Sequence, residues 1–215
     1  IGGIGFYRAH PPRPFTPTEQ EIAALVASRV TMALVNSRLH QEAQELAITD
    51  PLTGLPNRRH FDAAVAHADA QRERLTISER RARSAILFDL DHFGAINKRH
   101  GHQVGDQILR AFAQVLHARV RASDLTARYG GEEFVVILDG ATRDEAFRLA
   151  DEVRLAFRQQ SIEAATADPE LPITTVSAGC ASLERIEVSG AVLLERADVG
   201  LAMSKAAGRD QVVAA

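Results

Sequence analysis

Arg128-Tyr129-Gly130-Gly131-Glu132-Glu133-Phe134, running on into Val135-Val136-Ile137-Leu138, decides the fold. Two adjacent glycines between a tyrosine and an apolar, β-branched run read as a tight hairpin turn. Glycine there supplies positive φ or lets another molecule approach the backbone closely. Glu132 and Glu133 follow at the mouth of the strand, where successive side chains point to opposite faces. A bare hairpin does not need a carboxylate pair beside it. Paired carboxylates at a turn point to a divalent cation, because Mg²⁺ takes oxygen ligands together with substrate phosphates. The competing reading is a solvated turn with two surface glutamates.

A second stretch favours the cation. Ser84-Ala85-Ile86-Leu87-Phe88 is a continuous apolar run, hence a buried strand, and it ends in Asp89-Leu90-Asp91. If the hairpin pairs alongside, Asp89 meets Glu132 and Glu133, which brings together the acidic groups of a two-metal phosphoryl-transfer site. A calcium loop is the rival, since Asp89, Asp91 and Gly94 partly fit the EF-hand pattern. It fails because Phe93 stands where the third acidic ligand belongs and His100 where the bidentate glutamate belongs.

The Arg128–Phe134 stretch resembles the signature of the GGDEF family, the bacterial diguanylate cyclases. Three further blocks of that family occur in order: Asp50-Pro51-Leu52-Thr53-Gly54-Leu55-Pro56-Asn57-Arg58-Arg59; Asp89-Leu90-Asp91-His92-Phe93 leading to Asn97 and Gly101-His102-Gln103-Val104-Gly105-Asp106; and Ala197-Asp198 followed by Lys205-Ala206-Ala207-Gly208-Arg209. One block is a weak pattern, and four in order are a strong one. The resemblance spans roughly residues 48–215. It implies an α+β, ferredoxin-like βαββαβ nucleotidyl-cyclase domain that condenses two GTP into cyclic di-GMP and two pyrophosphates.

The same resemblance implies roles for particular residues. Asp89, the carbonyl of Leu90, Glu132 and Glu133 match the ligands of two Mg²⁺ ions, with Mn²⁺ an acceptable substitute. Glu132 matches the general base. Asn97 and Asp106 match the guanine-reading pair, and Asp106 can accept from guanine hydrogens that adenine does not present together. Phe93, His102, Gly130 and Gly131 match positions beside the substrate, and Lys205 and Arg209 match the triphosphate clamp. Arg121-Ala122-Ser123-Asp124 matches an inhibitory product site built on Arg121 and Asp124; alone it would be an ordinary surface turn. One departure bears on activity. Gly94 stands where the family carries a phosphate-contacting lysine, so substrate binding is expected to be weakened. A catalytically silent module that binds GTP or cyclic di-GMP is the alternative. Ala202 in place of a tyrosine concerns packing.

Composition agrees. With 215 residues, 46% hydrophobic and 25% charged, the chain suits one domain plus an appendage. A net charge of −3 gives no sign of a nucleic-acid polymer as partner. The lone Cys180 excludes a disulfide framework and reads as core. No run approaches the roughly 18 apolar residues of a membrane span and no signal peptide is visible, so no membrane segment is expected and the cytoplasm is the default location.

Residues 1–16, with the helix that opens at Pro17, resemble the last strand and last helix of a GAF sensor domain, so 1–16 reads as the C-terminal remnant of such a domain. From Pro17 to about Thr49 a helix is expected, with Leu25, Met32, Leu39 and Leu46 seven residues apart and Ile22, Arg29, Asn36 and Ala43 as a poorer second row. This spacing predicts a coiled-coil stalk joining a parallel homodimer. Residues 50–215 form the GGDEF-like domain. Helical spacing continues in Phe61, Ala64, Val65 and Ala68, in Ile108 to Val120, and in Ala146 to Phe157. The Arg/Glu-rich stretch 71–83 reads as solvated surface, Ile173 to Gly179 as a strand, and Leu193 to Lys205 as the last helix.

Overall fold

The computed structural model describes residues 5, 7, 14–46 and 48–215, in two separate units, 1–47 and 48–215. The expected GAF-like strand, Ile1 to Tyr7, falls almost entirely outside the described residues. In the first unit one helix, α1 (Pro17–Leu46), opens on Pro17 with Glu19 in its first turn. Ile22, Leu25, Met32 and Leu39 stand exposed along it. Its stretch Pro17–Leu39, 23 residues at a mean hydropathy of 1.3, is long and apolar enough by length and composition to cross a membrane. A search for an uninterrupted apolar run overlooks this, because Arg29 and Asn36 break the run. A central Arg such as Arg29 costs a spanning helix about 2.5–3.5 kcal/mol.

The second unit is a five-stranded sheet with helices on both faces. In chain order it comprises α2 (Arg58–Glu73), β1 (Arg83–Leu90), α3 (Phe93–His100), α4 (His102–His117), β2 (Leu125–Arg128), β3 (Glu133–Asp139), α5 (Arg143–Ala167), β4 (Val176–Leu183), α6 (Gly190–Ala206) and β5 (Val212–Ala214). The sheet order is β2-β3-β1-β4-β5, antiparallel except for the parallel β4–β5 pair. Without β5 this is the ferredoxin-like order the sequence predicts. Strand β4 begins at Val176, three residues later than expected, and Ile173 is exposed.

Strand alternation divides the core. Ile86, Phe88, Phe134, Val136, Ala178 and Cys180 face α4 and α5, while Ala85, Leu87, Val135, Ile137, Ala181 and Leu183 face α2 and α6. Phe112 of α4 centres the first layer, 4.7 Å from Phe134, 5.1 Å from Phe157 and 5.6 Å from Phe88, ring centre to ring centre. Burial pushes the Cys180 thiol up to about 11, consistent with a core residue and not a nucleophile.

Local chemistry fixes the helix starts. The Asn57 side chain accepts from His60 N–H, Thr142 and Glu145 form a capping box, and Ser189 accepts from Val192 N–H. On the other face α6 lies directly on the sheet because Gly179 and Gly200 carry no side chains. A Cβ on Gly179 would stand 2.0 Å from Leu201 N and 2.1 Å from Ala197 O.

Most of the stretch 71–83 is exposed, as expected, but Arg72 and Arg83 are buried. Arg72 is only 5% exposed and donates to the carbonyls of Glu187 and Arg81. Arg83 is equally buried and pairs with Asp69 and Asp139, each at 2.7 Å. Both guanidiniums are paired or hydrogen-bonded, which is what makes their burial tolerable.

Candidate active site

The central strand β1 ends in the acidic residues, and its neighbours supply the rest. Asp89 lies opposite Glu133 in the β1–β3 register and opposite Ser177 in the β1–β4 register. Leu90 N–H donates to Glu132 O at 3.2 Å, which draws the Gly-Gly-Glu-Glu turn against the end of β1. Leu90 buries its side chain in the core, leaving only its backbone to serve the site. Lys205, in the last turn of α6, places Nζ 2.8 Å from Asp89 Oδ2. The Gly179–Gly200 contact is what brings that helix close enough.

The turn is built differently from a simple hairpin. Neither Gly130 nor Gly131 takes a positive φ. Gly130 instead leaves room for Glu133, whose Oε2 would lie 2.3 Å from a Cβ placed there. Gly131 offers its carbonyl to the Arg128 guanidinium at 2.6 and 3.2 Å. The same guanidinium grips both carboxylate oxygens of Asp50 at 3.1 Å. Burial works to raise the Asp50 pKa, but hydrogen bonds from Thr53 and the Arg128 contact outweigh it and hold the carboxyl below its ordinary range. Tyr129 packs edge-on to Phe61 of α2, with the Arg58 guanidinium 4.3 Å over its ring.

Glu132 is the perturbed acid of the group. Burial raises its pKa first, the Asp89 charge next, and Glu133 adds to both, while Lys205 acts in the opposite direction. The cluster is nevertheless looser than the sequence reading has it. Among the described residues no three carboxylate, imidazole or thiol groups stand close enough to cage a metal by themselves. The reason is visible: Glu133 folds against Gly130, and Asp89 is drawn to Lys205. The donor set still fits Mg²⁺. That ion keeps several waters and needs only one or two carboxylates when phosphate oxygens complete its shell.

A second group of expected residues meets on α3 and α4. Asn97 is partly buried, and its Oδ1 is buried with no hydrogen-bond partner. It points at Gly105, where a Cβ would be only 1.9 Å away. An orphaned acceptor of this kind is costly unless a ligand supplies the donor. Asp106 follows Gly105 on the first turns of α4, and His102 is exposed at the start of that helix. Phe93 is buried in the core below Asn97 and Gly105, not open to solvent. Gly94, at the second position of α3, has nothing within 4 Å of a Cβ and no positive φ. Arg209 is exposed in a turn just past α6.

Arg121 and Asp124 lie apart from the acidic residues. Asp124 accepts from Arg121 N–H at 2.9 Å, so the segment is a self-closed turn. Both residues also line a cavity of about 370 Å³ with Arg119, Asp139, Glu145 and Arg148. Arg148 on α5 is a basic neighbour that no local sequence signal announces. The sequence reading assigns no role to Asp50, Asp91 or Arg128, although all three stand inside the quoted motif blocks.

Over residues 47–211 the chain matches the family described as "Diguanylate cyclase, GGDEF domain". It is 37% identical over 204 residues to the response regulator PleD of Caulobacter vibrioides, covering 94% of this chain and 43% of that protein. It is 38% identical over 178 residues to the diguanylate cyclase DgcM of Escherichia coli, covering 83% of this chain and 41% of the relative. The chain thus spans less than half the length of these curated relatives. Among solved structures, the coiled coil and GGDEF domain of DgcB from Caulobacter crescentus, in complex with c-di-GMP, superposes with a TM-score of 0.71 at 32% identity, covering 90% of this chain and 98% of that one.

Proposed function

Because this chain belongs to the GGDEF family of diguanylate cyclases, we propose that it joins two GTP molecules into cyclic di-GMP and releases two pyrophosphates. In each half-reaction the 3′-oxygen of one GTP bonds to the α-phosphorus of the other, and the bond from that phosphorus to the leaving pyrophosphate breaks. The observation that carries this reading is the meeting of Asp89, Glu132 and Lys205 at the end of the central strand.

The residues then take distinct tasks. Asn97 and Asp106 hold the guanine, whose ring hydrogens satisfy the orphaned Asn97 Oδ1 and the Asp106 carboxylate. Phe93 supports that pocket from below, and His102 borders it. Lys205 and Arg209 bind the triphosphate, Lys205 exchanging Asp89 for a phosphate oxygen. Glu132, its pKa raised by burial and by Asp89, is suited to take the 3′-hydroxyl proton. Asp89, the Leu90 carbonyl, Glu132 and Glu133 would hold Mg²⁺, which when bound neutralises the charge gathering on the phosphates.

One domain holds one GTP, so the product needs two copies face to face. The exposed apolar face of α1, with Ile22, Leu25, Met32 and Leu39, suits pairing with a second copy as a coiled-coil stalk. The structure of DgcB with its coiled coil supports this arrangement by likeness. The cavity of Arg121, Asp124 and Arg148 suits the bound product as an inhibitor. One observation favours a silent, nucleotide-binding module as the second reading: Gly94, open at the start of α3, puts no cation where the family carries its phosphate-contacting lysine. Incubating the protein with GTP and Mg²⁺ decides between them. Cyclic di-GMP is the expected product, and bound but unchanged GTP identifies the silent module.

A further inference from the structure

The turn that carries Arg209 is strained, and charged residues far away in sequence hold it. Arg209 and Asp210 are consecutive non-glycine residues in the left-handed region, at φ 66° and 46°, directly after Gly208 at φ 117°. Side chains rarely adopt this backbone, so two in succession persist only where the surroundings dictate them. Here they do. The Asp210 carboxylate receives Arg154 on one oxygen at 2.9 Å and Arg158 on the other at 3.1 Å, both from α5. Its backbone N–H donates to Asp91 Oδ2 at 3.1 Å. Arg209 N–H donates to Ser204 O at 3.1 Å, closing the turn on α6.

Asp91 is 3% exposed and sits two residues past Asp89. Besides the Asp210 N–H it accepts the hydroxyls of Thr175 and Ser177, both at 2.7 Å. A buried carboxylate surrounded by neutral donors is a rigid anchor, and it ties the Arg209 turn to the end of β1. On the other side Arg154 is itself half fixed by Asp151 at 2.7 Å. Burial works against the Arg154 charge, and Asp210 and Asp151 together outweigh it and raise its pKa. Both oxygens of Asp210 are taken by α5, and that carboxylate pairs with Arg154 and Arg158, not with its neighbour Arg209. A carboxylate next to Arg209 would otherwise compete with phosphate for it.

We propose that Asp210, clamped by Arg154 and Arg158 and tied to Asp91, is the positioning residue that aims Arg209 at the substrate phosphates. This rests on the reading of Arg209 as a phosphate ligand. Without the clamp the strained turn relaxes, the carboxylate is released toward Arg209, and GTP binds more weakly. The test is a cycle of variants in the full chain, read as the dissociation constant for a non-hydrolysable GTP analogue, with melting temperatures alongside. Asp210→Ala should weaken binding about fivefold in the wild-type background, the scale of a partly lost charge-assisted contact. It should have almost no further effect once Arg209→Ala is present, because both changes remove the same interaction. Asp210→Asn keeps a residue that tolerates left-handed backbone and keeps the N–H bond to Asp91, so it folds; it should still lose about half of the binding effect through the missing ion pairs. Equal weakening in both backgrounds, or unchanged binding in Asp210→Ala, overturns the proposal and leaves the diguanylate cyclase reading intact. A wild-type protein that does not bind the analogue at all overturns both.

Discussion

Glu132 joins stability to chemistry at a single side chain. Its folded-state pKa is raised, by burial first and by the Asp89 charge second. A carboxyl whose pKa rises on folding holds its proton longer in the native state. Its ionisation therefore costs stability, and the cost appears as pH rises past the unfolded value and is complete above the folded one. Glu132→Gln should accordingly raise the melting temperature of the metal-free protein at neutral pH. Solvent exposure keeps the gain small. The same change should lower turnover by at least about 100-fold, because a charge-stabilising group is lost. Calorimetry and a product assay on one preparation check both signs; a less stable Gln variant contradicts the electrostatic account. The raised pKa also makes Mg²⁺ compete with a proton, so as pH falls Mg²⁺-dependent stabilisation should fade at a higher pH than it would with an ordinary carboxylate.

Gly94 makes an independent test. Its helical backbone and open surroundings remove any steric objection to a side chain. Gly94→Lys should lower KM for GTP about two- to fivefold, since an exposed charge-assisted contact is worth a fraction of the roughly 1.5–3 kcal/mol of a buried one. The melting temperature should stay the same or rise slightly, because glycine is a poor helix former. A raised KM contradicts the lost-cation explanation.

At the level of elements, the contact of α6 with β4 decides where Lys205 stands. Gly179→Ala would put a methyl against the backbone of Leu201 and Ala197 and push the helix outward. The cost should be about 1–3 kcal/mol, the range for overpacking, with weaker GTP binding as Lys205 leaves Asp89. Denaturant melts and nucleotide titration read the two effects; full stability in Gly179→Ala contradicts the close packing.

This contact also shows which elements the sequence discloses. The faces of α4 and α5 were legible because Leu109, Phe112 and Leu116, and Ala146, Ala150, Val153 and Phe157, repeat at helical spacing and are buried. The α6–β4 contact depends on side chains that are absent, which leaves no periodic signal. Arg72 reads as solvated because its burial depends on a carbonyl more than a hundred residues away, that of Glu187. Strand β5 is three residues long and follows a strained turn, too short to show a pattern. Within the site, Asp89, Glu132 and Lys205 were legible as motif positions. The Lys205–Asp89 pair and the hold of Arg154 on Asp210 were not, since each joins segments distant in sequence.

For the whole molecule the account requires two copies. Cutting the chain after Thr49 removes α1, and specific activity should then rise in proportion to protein concentration, the total rate going as its square, when the encounter of two domains limits the rate. Unchanged activity of the shortened chain at high dilution denies α1 a part in catalysis. Arg121→Ala should relieve inhibition by added cyclic di-GMP at least about tenfold, the loss expected for one charge-assisted contact, with little change in initial rate. Inhibition equal to wild type assigns the Arg121–Asp124 turn to ordinary surface.

The central claim is that the acidic end of β1 and the turn before β3 make phosphodiester bonds. It is tested most directly by separating the products of GTP and Mg²⁺ after incubation with the wild-type chain and with Glu132→Ala. The account predicts one cyclic di-GMP for every two pyrophosphates from the wild type, and none above background from a folded Glu132→Ala that still binds GTP. Wild-type protein that binds GTP and returns it unchanged, or Glu132→Ala that forms cyclic di-GMP at the wild-type rate, contradicts it.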